Sequence, residues 1–253
     1  MIRWEARGRV GVATIDRQDR RNALNSELCK ELTARLEDAS SLRVVVLTGA
    51  GTSFCSGADL VTRFEGEEHE AEDTFRLDFE RLMDTIIGFA GPVIAAVNGP
   101  ALGAGTQMAV ACDLRVVGPS AKFGIPAARL GLVLSPANIS RLAVLVGQGA
   151  ARELLMTART IDVDEAERIG LVQQRAVDAL AAALEWAGEI AELAPLTVAS
   201  HKRALNLIAG GQQADPDALV EIARLERDAL RSRDLQEGLA AFTEKRPPQF
   251  EGR

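Results

Sequence analysis

Residues 85–112 read TIIGFAGPVIAAVNGPALGAGTQMAVAC, a run without a single charged side chain. A membrane helix needs about 20 consecutive apolar residues, so the run is long enough to raise that interpretation. Residues that favour turns interrupt it repeatedly: Gly88, Gly91, Pro92, Asn98, Gly99, Pro100, Gly103 and Gly105. Because glycine and proline end regular elements, they divide the run into a short buried strand, a tight loop and a small-residue helix. The run is therefore predicted to be the core of a globular α/β protein.

The same alternation of strands and helices continues on both sides of this run. Further apolar runs predict strands at residues 10–15, 44–48, 114–117 and 171–177. Between the first two, Leu28, Leu32 and Leu36 recur at helical spacing. From Asp178 onward the sequence is almost wholly helix-forming, with no linker before it. We therefore predict an α/β fold with a core over residues 1–190 and a C-terminal helical region over residues 191–253.

Charge and composition limit the partners of the protein. The 253 residues carry 29 Lys and Arg against 36 Asp and Glu, a net charge of −7. An acidic chain with dispersed charges argues against nucleic acid or an anionic membrane surface as the main partner. Three irregularly spaced cysteines make neither a disulfide framework nor a metal site. With no signal peptide at the start, we expect a cytoplasmic protein without a metal.

Few residue types remain for acid/base chemistry. Tyrosine is absent, and histidine occurs only at His69 and His201. These counts remove most Ser/His/Asp schemes and all tyrosyl acids. A serine peptidase is disfavoured because Ser56 has no histidine nearby in the sequence.

Two glycine-rich loops follow predicted strands and precede predicted helices. They are GTSFCSGADL at residues 51–60 and GPALGAG at residues 99–105. Backbone N–H groups at such a turn can point at an incoming oxygen, and two of them make an oxyanion hole. Such turns also occur in α/β proteins without any anion site. Spacing alone leaves both interpretations open.

An ordered set of motifs decides between them. It comprises RRNALN at residues 20–25, RVVVLTG at 43–49, FCSGADL at 54–60, VNGPALGAG at 97–105, CDLRVV at 112–117, KFGIPAARLGL at 122–132 and FTEKRPP at 242–248. This set resembles the crotonase, or enoyl-CoA hydratase/isomerase, superfamily across nearly the whole chain. The resemblance implies ββα units wound into a spiral and C-terminal helices that build a homotrimer, often paired as a hexamer. It also implies an acyl-CoA ligand, so no separate cofactor is expected, because coenzyme A is part of that ligand.

The resemblance also implies roles for individual residues. Ala58 and Ala104 correspond to the two backbone donors to the thioester carbonyl. The positions implied for substrate binding are Arg21, Ala23, Ser56, Asp59, Leu60, Val61, Phe242 and Lys245. The last two would come from a neighbouring subunit, and Asp59 is also interpreted as a residue that starts a helix.

The sequence departs from the family pattern where hydratases carry two glutamates. Those positions are Gln107 and Ala127 here, and a third acid position found in some isomerases is Ser135. An amide or a methyl group cannot exchange a proton near neutral pH. Between residues 85 and 152 the only carboxylate is Asp113. We therefore expect a pocket without acid/base groups, unless the acidic stretch at residues 65–70 around His69 reaches into it.

Two functions remain. The first is an acyl-CoA binding protein of fatty acid metabolism with little classical hydratase activity. The second is an enzyme of divergent lyase or isomerase chemistry that uses the oxyanion hole and a base outside the usual positions.

Overall fold

The computed structural model describes residues 1–59, 69–212 and 215–253. In these ranges the main sheet has six strands in the order β1-β2-β3-β4-β6-β9. Its strands are β1 (Ile2–Arg7), β2 (Val10–Ile15), β3 (Val44–Gly49), β4 (Val93–Val97), β6 (Leu114–Val117) and β9 (Gln174–Arg175). The first pair is antiparallel and the rest are parallel. A small second sheet contains β5 (Pro100–Leu102), β7 (Lys122–Gly124) and β8 (Thr160–Ile161).

The α-helices of the described residues alternate with these strands and then continue alone. They are α1 (Ser26–Glu37), α2 (His69–Gly88), α3 (Ala104–Ala111), α4 (Pro136–Thr157), α5 (Val163–Arg168), α6 (Ala179–Ala191), α7 (Pro195–Ala209), α8 (Pro216–Leu230) and α9 (Arg233–Glu244). Helix α4 is interrupted at Gly147, whose φ of 78° is not helical. The predicted α/β core followed by helices is confirmed.

The uncharged run contains the predicted strand and helix, but part of the predicted loop forms strand β5 because it pairs with β7. It contributes the end of α2, all of β4 and β5, and α3. Every residue of β4 is buried, as is most of α3. No helix among the described residues combines the length and hydropathy needed to cross a membrane.

Helix α6, which precedes the C-terminal helical region, packs on the sheet. The alanines of α6 that point inward are all buried: Ala179, Ala183, Ala187 and Ala191. They pack against valines of β2 and β3 and against residues of β4 on one sheet face. Because its inward face consists of small residues, α6 lies close to the sheet and packs with the core.

One predicted strand differs from the structure. The strand expected at residues 171–177 is only Gln174–Arg175 long, because Leu171 and Val172 pack into the core outside the sheet ladder. Asp113 lies between α3 and β6. Its carboxylate accepts hydrogen bonds from the Val93 backbone N–H at 2.7 Å and pairs with Lys202 at 2.8 Å. Asp113 is thus a structural residue that joins α7 to the core.

Candidate functional site

The two glycine-rich loops lie side by side. Cys55 pairs with Ala101 in a parallel bridge, and the Leu102 N–H donates to the Cys55 carbonyl at 2.9 Å. Helix α3 then lies directly against the first loop. A Cβ atom on Gly105 would come within 2.2 Å of the Cys55 oxygen, so only glycine fits there. This packing fixes the start of α3 next to residues 57–58.

Each loop presents a backbone donor that has no acceptor in the described part of the chain. The neighbours of Ala58 are used, because Leu24 N–H donates to the Gly57 carbonyl and Asp59 N–H donates to the Leu24 carbonyl. The Ala58 N–H itself makes no such bond. Ala104 is the first residue of α3, where the N–H has no partner within the helix. Two donors of this kind suit an oxygen that carries developing negative charge.

Both donors line one cavity of about 380 Å³. Its apolar wall is formed by Phe75, Phe79, Ile125, Leu130, Leu132, Val133 and Leu134. Two of these lie at its rim, since Leu130 is half exposed and Val133 is almost fully exposed. An apolar cavity with a few polar groups is typical of a small-molecule site, and this one suits an aliphatic chain.

The three positions at which relatives carry acidic residues all line this same cavity. Gln107 lies on α3, and Ala127 follows β7. Ser135 caps the start of α4, where its hydroxyl oxygen accepts the Asn138 N–H at 3.3 Å. None of the three can act as a carboxylate. All three positions thus share a cavity with the two backbone donors.

The expectation of a cavity without any acid/base group is nevertheless wrong. Glu80 of α2 lines it, together with Asn138 of α4. The Asn138 amide donates to Glu80 Oε1 at 2.8 Å. The sequence count began after Asp84 and so missed this residue. A signal was present: Glu80 lies one helical turn before Met83, a fully buried member of the apolar stripe on α2.

The segment around Arg21 and Ala23, which the resemblance implies for substrate binding, joins the first loop directly. The Ser56 N–H donates to the Arg21 carbonyl at 3.0 Å, and the Ser56 hydroxyl donates to the Arg20 carbonyl at 3.1 Å. Arg21 is exposed, and its φ of 50° is left-handed. Asp59 is buried and pairs with Arg17 Nη1 at 2.6 Å.

Arg17 connects this pair to the expected binding segment. Its guanidinium also donates to the carbonyl of Ala23, which is buried. The structure thus brings Arg21, Ala23, Ser56 and Asp59 together, whereas Leu60 and Val61 lie outside the described residues.

The C-terminal residues are not part of this cavity in the single chain. Phe242 on α9 is 86% exposed, and Lys245 is the exposed left-handed residue that ends the helix. Arg246 pairs with Glu237 at 2.5 Å and with Glu244 at 2.6 Å. A contribution of Phe242 and Lys245 to a neighbouring subunit stays a prediction.

Other candidates for proton transfer contribute little here. In the acidic stretch at residues 65–70, residues 65–68 and the side chain of His69 lie outside the described part of the chain. Burial raises the pKa of Cys55 to about 12, so this thiol stays protonated at neutral pH although it lies beside the donors. In the described ranges no group of three His, Cys, Asp or Glu side chains is placed to hold a metal ion.

Comparison with known proteins agrees with this fold. Residues 5–253 match the family model described as enoyl-CoA hydratase/isomerase. A probable enoyl-CoA hydratase of Mycobacterium leprae is 44% identical over 251 residues, which cover 96% of each chain. The short-chain-enoyl-CoA hydratase of Clostridium acetobutylicum is 37% identical over 249 residues, covering 96% of this chain and 94% of the relative.

Solved structures extend the likeness to three dimensions. The crystal structure of the Bacillus anthracis enoyl-CoA hydratase superposes with a TM-score of 0.91 at 33% identity, covering 100% of this chain and 99% of that one. The fold is therefore of the crotonase type. The chain belongs to the enoyl-CoA hydratase/isomerase family.

Proposed function

We propose that this protein binds an acyl-CoA thioester with its carbonyl oxygen between the N–H groups of Ala58 and Ala104. The observation that supports this most directly is the pair of backbone donors without acceptors on one apolar cavity. The apolar wall would take the acyl chain, and the exposed Arg21 beside Ser56 would take part of the nucleotide. Such a ligand fits the fatty acid metabolism expected of this family.

Classical hydratase activity is expected to be weak. Water addition across an enoyl-CoA double bond uses two positioned acid/base groups, and each contributes a factor of about 10² to 10⁴. Gln107 and Ala127 occupy the walls where such groups would stand. Binding of the thioester would persist, because backbone donors do not depend on these side chains.

A second candidate function is favoured by Glu80. A carboxylate on the cavity wall together with an oxyanion hole is a minimal set for proton transfer next to a thioester. This arrangement supports divergent isomerase or lyase chemistry with a base outside the usual family positions.

We expect the protein to act in the cytoplasm as a homotrimer or hexamer. Apolar residues left exposed on the last helices support assembly: Leu205, Leu219, Val220, Leu239 and Phe242. Deleting the residues after Leu239 should lower the mass measured by light scattering or weaken binding of butyryl-CoA. An unchanged oligomer with unchanged affinity would contradict this role.

A crystal structure with butyryl-CoA tests the central proposal. The thioester oxygen should lie within about 3.2 Å of the backbone nitrogens of Ala58 and Ala104. Titration calorimetry with the same ligand measures the affinity. An oxygen well beyond that distance from both nitrogens would refute the proposed binding mode.

A further inference from the structure

Helix α3 starts without a capping side chain. Its N-cap residue is Gly103, which has no side chain to accept from the N–H groups of the first turn. Six other helices in the described part of the chain, α1, α4, α5, α6, α8 and α9, begin at an Asn, Asp or Ser whose side chain accepts such a bond. A capping oxygen occupies the start of a helix, so a glycine there leaves this end of α3 free for an oxygen of a ligand. The start of α3 must then be held in place by another group.

Thr106, in the first turn of α3, is such a group. It is fully buried, and its Oγ1 lies 2.6 Å from the Ala101 carbonyl oxygen and 3.0 Å from the Gly124 carbonyl oxygen. The same oxygen accepts from the Gly124 N–H at 3.1 Å. A hydroxyl has one proton, so it donates to one of these carbonyls at a time and accepts from the N–H. Thr106 therefore ties the first turn of α3 to β5 and to β7.

The peptide that carries the Ala104 N–H lies between two fixed points. Before it, the Gly103 N–H donates to the Gly124 carbonyl at 2.8 Å, and after it Thr106 is held by the same strand. Gly103 has a φ of 54° and a ψ of −115°, a conformation that glycine adopts readily. A rotation of the first turn would redirect the Ala104 N–H. The hydrogen bonds of Thr106 oppose that rotation.

The other side chains of this turn cannot replace Thr106. Ala104 and Gly105 have no polar side-chain atoms, and Gln107 lines the cavity. The contact between Gly105 and Cys55 sets how closely α3 approaches the first loop. A hydrogen bond also depends on direction, so Thr106 fixes the orientation of the turn as well as its distance.

We propose that Thr106 is a positioning residue that orients the Ala104 N–H toward the thioester oxygen. Thr106 is fully buried and is not among the residues that line the cavity, so it acts through the start of α3. A hydrogen bond weakens steeply when its angle at the hydrogen falls below about 120°. A small rotation of the turn would therefore remove the contribution of this donor while the helix stays folded. This inference rests on the proposed thioester site.

The experiment compares two ligands of the full-length protein by titration calorimetry. Butyryl-CoA has the thioester carbonyl, and S-butyl-CoA is the corresponding thioether without it. Because coenzyme A and the alkyl chain are common to both, the ratio of the two affinities measures the contribution of the N–H groups. Each donor should contribute about fivefold, so the wild type should prefer the thioester by about 25-fold.

Thr106→Val replaces the hydroxyl by a methyl group, which cannot approach the two carbonyl oxygens as closely. The thioester preference should fall about fivefold, while the affinity for the thioether should change little. Thr106→Ser keeps the hydroxyl and should retain the wild-type preference. Thr106→Ala removes the hydroxyl without adding a methyl group in its place, and it gives the same test if the valine variant does not fold.

Thr48→Val is the matched control. Thr48 is also buried, and its hydroxyl donates to the Ala96 carbonyl at 2.8 Å within the main sheet. This variant loses the same kind of hydrogen bond and should lower the melting temperature in the same way as Thr106→Val. Its thioester preference should equal that of the wild type, because Thr48 does not hold the start of α3.

An unchanged thioester preference in both Thr106→Val and Thr106→Ala would overturn the inference. An equal loss of preference in Thr48→Val would overturn it as well, because the effect would then follow from any lost buried hydroxyl. Wild-type protein that binds both ligands equally would instead mean that the two N–H groups do not hold the carbonyl oxygen. In that case the proposed thioester site itself is wrong, and the inference fails with it.

Discussion

Replacement of Ala104 by proline tests the oxyanion hole with little disturbance of the fold. Ala104 is the first residue of α3, the helix position where proline is tolerated because the N–H has no partner within the helix. The substitution removes one backbone donor and leaves the helix otherwise able to form. Ala104→Gly is the control, since it retains the donor and removes only a methyl group.

Removing the Ala104 N–H should reduce the affinity for the thioester and the rate of proton transfer by different factors. A neutral hydrogen bond to the thioester carbonyl contributes about 1 kcal/mol, so its loss alone weakens binding about fivefold. A donor to the enolate oxygen contributes a factor of about 10² to 10³ in rate. Titration calorimetry with butyryl-CoA and deuterium exchange into vinylacetyl-CoA measure the two quantities. Equal losses in affinity and rate, or no loss in either, would refute the assignment of Ala104 as an oxyanion donor.

Three further predictions follow from the described contacts. Gln107→Glu combined with Ala127→Glu should raise hydration of crotonyl-CoA by orders of magnitude, with either single change doing less, and robust wild-type hydration would contradict this. Lys202→Met removes the ion-pair partner of the partly buried Asp113 and should cost about 3 kcal/mol in chemical denaturation, whereas a loss below about 1 kcal/mol would show that the pair is dispensable. The Arg246 guanidinium lowers the pKa of Glu237 from 4.5 to about 2. The stability that this ion pair adds to the folded protein is therefore present above pH 4.5 and is lost as the pH falls through about 2. Glu237→Gln should therefore melt below the wild type at neutral pH and with it near pH 2, and a difference that persists in acid would contradict this assignment.

Most of the fold could be predicted because strand and helix patterns are local. The runs at residues 10–15 and 114–117 became strands with those bounds. The last strand was predicted too long because Leu171 and Val172 are apolar for a different reason, namely contact with the core outside the sheet. An apolar run indicates that its residues are buried, but it does not show whether they pair with a neighbouring strand.

Only those parts of the candidate site that lie within a recognisable loop motif could be predicted from the sequence. The loops that carry Ala58 and Ala104 begin where strands end, so their order in the sequence suggests that both lie at one end of the sheet. Glu80 depends on how α2 packs against α4, and its position is fixed by Asn138, which lies far along the chain. A charged residue beside an apolar helix stripe is usually solvated, and only tertiary contacts distinguish the exception.

The close contact at Gly105 implies an unequal tolerance to substitution within one cavity. A side chain there would collide with the backbone of the first loop, so a saturation library should recover almost nothing but glycine at this position. Gln107, two residues later, projects into open volume and should accept many residue types with the fold intact. The backbone that positions the two donors therefore does not depend on the cavity side chains that determine the reaction. Substitutions such as those at Gln107 can change the chemistry while the two loops keep their structure.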